Sequence, residues 1–186
     1  MKKIKTFLII LMVLLPVSMT YAADQEITLK QVCDKNVIVR DIGNNEIVMI
    51  IMTPQDGGSY WFLLKEYGNL KLGENLSSFY QVDTLLPSPD GKYLAVTSVG
   101  EGHPMLEVVD LDVLRGQGKY TVLQELNPYP GVISIVHWDG SQLLLSSDVP
   151  LDEMKKGVDI TADQLLPEDN RFSLDIATGA IKRETK

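Results

Sequence analysis

Acid–base, nucleophilic or metal chemistry would begin at imidazole, thiol and carboxylate side chains, and this chain is poor in the first two. Only His103, His137 and Cys33 offer an imidazole or a thiol among its 186 residues. His103 falls in Gly100–Glu101–Gly102–His103–Pro104, which reads as a flexible loop between two strands, whereas His137 precedes Trp138 at a strand end. No Gly-x-Ser-x-Gly elbow, His-Glu-x-x-His helix or Cys–His arrangement is present. His137 therefore reads as a turn-adjacent structural histidine. His103 is the stronger candidate for contact with a ligand, because loops carry function on repeat scaffolds. Carboxylates cluster in Asp110–Leu111–Asp112 and around Asp148 and Asp152, without the twelve-residue calcium loop and its closing Glu. Zinc would need Cys/His pairs that the chain lacks. The sequence thus predicts no catalytic residue, no metal and no cofactor, and its acidic clusters read as solvated surface.

The elements that must position these residues announce themselves through turns. Ser88–Pro89–Asp90–Gly91–Lys92–Tyr93–Leu94–Ala95–Val96 is a tight turn running into an alternating strand. A copy returns at Trp138–Asp139–Gly140–Ser141–Gln142–Leu143–Leu144–Leu145. Asp-Gly enters the left-handed region cheaply, and so does Asn, which makes Asn44–Asn45 followed by Glu46–Ile50 a third copy. Each turn leads to a second strand (Ser59–Leu64, Met105–Asp110 and Arg171–Ile176) and then to another turn and an outer strand. Those later turns are Tyr67–Gly68–Asn69, Arg115–Gly116–Gln117–Gly118 and Ala177–Thr178–Gly179. Units recurring every 40–50 residues or so predict stacked antiparallel sheets in the manner of propeller blades.

The residues Ser88–Val96 with Leu106–Leu111 resemble the WD-type propeller repeat of the periplasmic TolB protein and of tricorn-type proteases. His137–Trp138–Asp139–Gly140–Ser141 is similar but lacks the Ser-Pro between Trp and Asp. The resemblance covers 86–111 best, then 133–147 and 171–183. It implies a blade and no activity, since a fold does not fix a function. The expected fold is all-β, an incomplete or open propeller-like stack of about three blades, in units of roughly 40–85, 86–130 and 131–186. A leading stretch, Glu26–Val39, adds a strand or two. Trp138 takes the aromatic position of the repeat and reads as packing. Tyr60 and Trp61 read as inter-blade core, with Tyr60, Phe62 and Leu64 on one face and Trp61 and Leu63 on the other.

The last unit carries a long connection between the strand ending at Ser147 and that starting near Arg171. It reads as two short helical turns, the only helix of note in the chain. Asp148 is expected to cap the first, with Pro150 early, Gly157 closing it after Lys155 and Lys156, and Thr161–Gln164 forming a capping box. Leu165 and Leu166 supply its apolar contacts and Pro167 its stop. Such a segment either covers an open sheet edge or binds a partner. The binding reading selects His103, Met154, Lys155, Lys156 and Leu165, because repeat geometry brings 100–104 and this insertion to one end of the stack. Asn127–Pro128–Tyr129–Pro130–Gly131 adds a rigid turn with an exposed aromatic.

Residues 1–22 read as a secretory signal: Lys2, Lys3 and Lys5, the apolar run Phe7–Leu15, then Thr20–Tyr21–Ala22 before a cleavage point. The run stops at Pro16, short of the roughly 20 residues a membrane anchor needs. Losing three lysines takes the formal net charge from −8 to −11. An acidic chain of this kind repels nucleic acid and anionic membrane. Cys33 has no partner for an internal disulfide and reads as a small buried hydrophobe. The expectation is one domain over 23–186 in a periplasmic or secreted protein. It acts as a non-enzymatic module for a protein partner of the cell envelope, without stable membrane insertion. The alternatives are a periplasmic hydrolase with loop-borne residues, or an assembly subunit whose stack is completed by another chain, a second copy included.

Overall fold

The computed structural model describes residues 37–53, 58–78, 81–100, 102–166 and 170–184. The signal segment, Cys33 and Pro167 lie outside the described residues. Among the described residues twelve strands form three antiparallel four-stranded sheets. The first holds β1 (Val37–Gly43), β2 (Glu46–Thr53), β3 (Gly58–Leu64) and β4 (Leu70–Glu74) in that order. The second holds β5 (Gln81–Pro87), β6 (Tyr93–Gly100), β7 (His103–Asp110) and β8 (Val122–Leu126). The third holds β9 (Ile133–Asp139), β10 (Gln142–Ser147), β11 (Arg171–Asp175) and β12 (Ile181–Arg183). This is the incomplete propeller-like stack that the repeat predicts.

The turn chemistry explains the inner hairpins. Gly91 and Gly140 sit at φ +69° and +59°, and Asn44 and Asn45 at +57° and +59°, so all three copies enter the left-handed region. Asp90 accepts the Ser88 hydroxyl at 2.7 Å, and Ser88 Oγ accepts the Tyr93 amide at 2.9 Å, which closes the Ser-Pro-Asp-Gly turn onto its strand. Each sheet also gains a strand ahead of its turn. The second therefore starts at Gln81, before the boundary read at 86, and the first at Val37, before 40.

Two cores lie between the sheets. The first joins Ile42, Ile50, Trp61 and Leu63 of the first sheet to Leu85, Leu94, Val96 and Val109 of the second. The second joins Ala95, Leu106 and Val108 to Trp138, Leu143, Leu145, Phe172 and Leu174 of the third. The other face of the third sheet is polar: Leu144 pairs with His137 and Ser173, Ser173 with Lys182, and Ser146 with Ser134 and Arg171. His137, Ser134, Arg171 and Lys182 are exposed.

The longest helix among the described residues is α1 (Leu111–Gln117), so the expectation that helix is confined to 148–168 is corrected. Asp110 caps it by accepting the Val113 amide at 2.9 Å, and Gly118, at φ +65°, stops it. The strand-like Val108–Val109 masks this start in the sequence. The insertion holds α2 (Leu151–Met154) and a 3₁₀ turn, Ala162–Gln164. Gly157 closes the α2 segment at φ +84°, with its amide on Met154 O. Asp148 does not cap α2; its Oδ1 accepts the Val132 amide at 2.6 Å instead. Thr161 N donates to Gln164 Oε1 at 3.0 Å, the return half of a capping box.

Candidate functional site

Because strands alternate in direction, β2, β6 and β10 end, and β3, β7 and β11 begin, at one end of the stack. His103 lies there, but as the first residue of β7, paired with Gly100. Gly100, His103 and Pro104, expected in a flexible loop, belong instead to the β6–β7 ladder. Its imidazole meets the Tyr129 ring edge-on, with centroids 4.7 Å apart and planes at 81°. Tyr129 is nevertheless 64% exposed. Its turn is held by the Gly131 amide donating to Pro128 O at 2.7 Å and the Tyr129 amide donating to Asn127 Oδ1 at 3.3 Å. The same turn is tied to the insertion. Asp148 holds Val132 N, Ser147 Oγ donates to Val132 O at 2.6 Å, and the Val149 amide donates to Ser147 Oγ at 3.0 Å.

The insertion residues named from sequence divide into two groups. Met154 and Leu165 are half-buried and pack, with Ile160 and Leu166, against the second core. Lys155 and Lys156 are exposed, and Lys155 Nζ reaches Gln124 Oε1 on β8 at 3.4 Å. The segment is also pinned by the Leu166 amide on Asp148 O at 2.6 Å and by an Asp152–Arg183 ion pair at 3.7 Å. Its apolar side thus seals the outer side of the second junction, and its basic side faces water. The structure joins His103 to Tyr129 and the Tyr129 turn to the insertion's start. Among the described residues no hydrogen bond, ion pair or ring contact links His103 to Met154, Lys155, Lys156 or Leu165. His137 stands apart on the polar outer face. Trp138 packs as expected, stacked on Tyr93 at 6.1 Å with Nε1 donating to Leu86 O at 3.1 Å.

Among the described residues one buried charged group escaped the sequence reading. Glu107, 1% exposed on β7, accepts the Tyr120 hydroxyl at 2.7 Å, the Ser78 amide at 3.2 Å and the Ser78 hydroxyl. Burial, then the Glu107 carboxylate, hold the Tyr120 phenol well above its usual range. The Tyr120 ring meets Trp61 edge-on at 5.2 Å, and Trp61 Nε1 donates to Ser59 Oγ at 3.0 Å. Alternation does place Glu107 between Met105 and Val109 on an inward face, the one signal that could have found it. Among the described residues no group of three or more His, Cys, Asp and Glu side chains could hold a metal ion. None of their helices is long and apolar enough to cross a membrane.

No protein-family model and no curated protein matches the chain. Solved structures do. The β-propeller domain of the trilobed protease of Pyrococcus furiosus, described as having an open velcro topology, matches 81% of this chain with a TM-score of 0.53 at 11% identity. An uncharacterized Listeria monocytogenes protein matches 81% with a TM-score of 0.51 at 8% identity. The acylaminoacyl peptidase of Pyrococcus horikoshii matches 81% with a TM-score of 0.50 at 11% identity. The chain is built on a propeller-like fold. It spans 43%, 40% and 25% of those chains respectively, and at such identities the likeness speaks for the fold alone.

Proposed function

We propose that this chain is an exported, non-enzymatic module that docks a protein partner of the cell envelope at the loop end of its stack. The observation that carries the reading is Tyr129, an exposed aromatic already fixed in place by His103, Asn127 and the Pro128–Gly131 turn. An aromatic anchor immobilised before binding loses little freedom on docking, which is what makes such residues dominate interfaces. Lys155 and Lys156 add a basic spot to an otherwise acidic protein and steer acidic partner surfaces. The basic and apolar leader, together with the likeness of 88–111 to the repeat of periplasmic TolB-type propellers, supports the envelope as the working compartment.

The test is capture from periplasmic extract by the mature chain, wild type against Tyr129→Ala, with matched melting curves as the folding control. The expected result is a stoichiometric partner whose affinity falls at least about tenfold in the variant, the loss of one anchor. Equal capture by a folded Tyr129→Ala protein sinks the reading.

A further inference from the structure

The insertion closes on its own first residue. Asp148 directly follows β10, and its carbonyl accepts the Leu166 amide at 2.6 Å, which joins the two ends of 148–166. The Asp148 side chain serves a different segment: its Oδ1 accepts the Val132 amide at 2.6 Å. Ser147 Oγ donates to Val132 O at 2.6 Å, so both main-chain groups of Val132 are held from the exit of β10. Val149, fully buried in the second core, fixes the backbone from which Asp148 reaches out.

The turn that carries Tyr129 lies hard against this pair. A Cβ on Gly131 would sit 2.2 Å from Asp148 Oδ1 and 2.5 Å from Val149 Cγ2, so glycine is what lets the turn approach the insertion. Bonds within the turn, from the Tyr129 and Gly131 amides to Asn127 and Pro128, set its shape. The Val132 bonds set where it stands. The linker between the first two sheets is held differently: Asn75 turns back on Ser59, its amide on Ser59 O at 2.8 Å and its Oδ1 accepting Ser59 N at 2.6 Å. That linker is tied to the sheet it leaves, whereas the Tyr129 linker is tied to the insertion of the sheet it enters.

Resting on the docking role of Tyr129, we infer that Asp148 is the positioning residue of that site. It meets no partner itself. It couples the insertion, whose Met154 and Leu165 pack on the second core, to the turn that presents the Tyr129 ring beside His103. An aromatic on a turn free to swing would lose that freedom on docking; Asp148 removes it at folding instead.

The test reads the anchor without a partner. His103 and His137 are the chain's two histidines, so the His103 Hε1 proton is resolved by NMR at a pH where both imidazoles are neutral. The Tyr129 ring shifts this resonance, and Tyr129→Ala gives its position without the ring. In Asp148→Ala it is expected to move most of the way there. Asp148→Asn, which keeps an oxygen on the Val132 amide, should leave it in place. Gly131→Ala makes the same break from the turn side, by displacing Asp148 Oδ1, and decides the matter if Asp148→Ala does not fold. A folded Asp148→Ala protein with an unmoved resonance overturns the positioning role and leaves the docking role standing. So does Asp148→Asn if it moves as far as Asp148→Ala. On the partner captured by wild type, Asp148→Ala should bind about three- to tenfold more weakly, the cost of ordering one side chain on docking. Added to Tyr129→Ala it should cost nothing more; an additive loss would put Asp148 in the interface itself and overturn its indirect role. If Tyr129→Ala captures as well as wild type, the docking role falls, and with it the use of Asp148 in docking.

Discussion

The two inter-sheet junctions solve the same problem with opposite chemistry. Between the second and third sheets the contact is aliphatic and aromatic: Leu143, Leu145, Phe172 and Trp138 against Ala95, Leu106 and Val108, with the insertion's apolar side closing the outer gap. Between the first and second sheets a comparable core is bracketed by polar devices. On the turn side, Arg115 at the end of α1 donates from Nε to Glu46 at 3.1 Å and from its two terminal nitrogens to Gly91 O and Ile42 O. Lys65 joins from the first sheet, with Nζ 2.9 Å from Arg115 O and 3.4 Å from Glu46. Deeper in lies the Glu107–Tyr120–Ser78 cluster. Apolar packing tolerates any neighbour of suitable shape, whereas a buried carboxylate tolerates only one that brings donors. At the first junction those donors are Tyr120 and Ser78, so the cluster fixes the lead-in to β5 against β7.

The largest effect should come from the apolar junction. Phe172→Ala removes a fully buried ring and is expected to cost about 3–5 kcal/mol in denaturant unfolding. A loss below about 1 kcal/mol would mean that the second junction is loosely packed. The polar junction is probed by Glu107→Leu against Glu107→Gln. Leucine strands the Tyr120 and Ser78 donors and should cost about 1–3 kcal/mol, while glutamine keeps an acceptor and should cost less. Equal costs would show that shape, and not hydrogen bonding, governs this junction.

Gly91→Val and Gly140→Val test whether the turns feeding both junctions are equivalent. Each forces a β-branched residue to positive φ, at about 1–3 kcal/mol. The Arg115 guanidinium lies at an ordinary contact distance, 3.7 Å, from where a Gly91 Cβ would sit and Gly140 has open space, so backbone strain governs both and the two variants should lose about the same. The smallest effect is with pH. A phenol held above its unfolded value of about 10 is protonated longer in the folded state, so its stabilisation is complete below that pH and is lost as pH rises past it. Melting temperature should fall more steeply above about pH 10 in wild type than in Tyr120→Phe. Parallel profiles would exclude Tyr120 as the cause.

What could be read from sequence was local. The Asn44–Asn45, Asp90–Gly91 and Asp139–Gly140 turns declare themselves because left-handed backbone needs particular residues wherever it occurs. The strands after them follow from period-two alternation. Helix α1 carried both its cap, Asp110, and its stop, Gly118, yet the preceding run of Val108, Val109 and Leu111 continues a strand pattern and Gly116 weakens the helical one. Glu107 and His103 depend on partners 13 and 26 positions away, Tyr120 and Tyr129, and no periodicity encodes such meetings. The insertion was found by its length and capping residues. That Met154 and Leu165 face the core while Lys155 and Lys156 face water follows from where the third sheet sits, which only the assembled fold supplies.

The carboxylate sunk in one face of the middle sheet gives that sheet a handedness of use. Its Glu107 face is satisfied by Tyr120 and by Ser78 of the lead-in to β5, and touches the first sheet through the Tyr120–Trp61 ring contact, whereas its opposite face, of Ala95, Leu106 and Val108, is aliphatic. A tandem duplication of residues 81–126 would set the second copy's Glu107 against the first copy's alkyl side chains, away from any donor but its own Tyr120. A copy that keeps this carboxylate satisfied therefore has to begin no later than Ser78, ahead of the first strand of the unit it repeats.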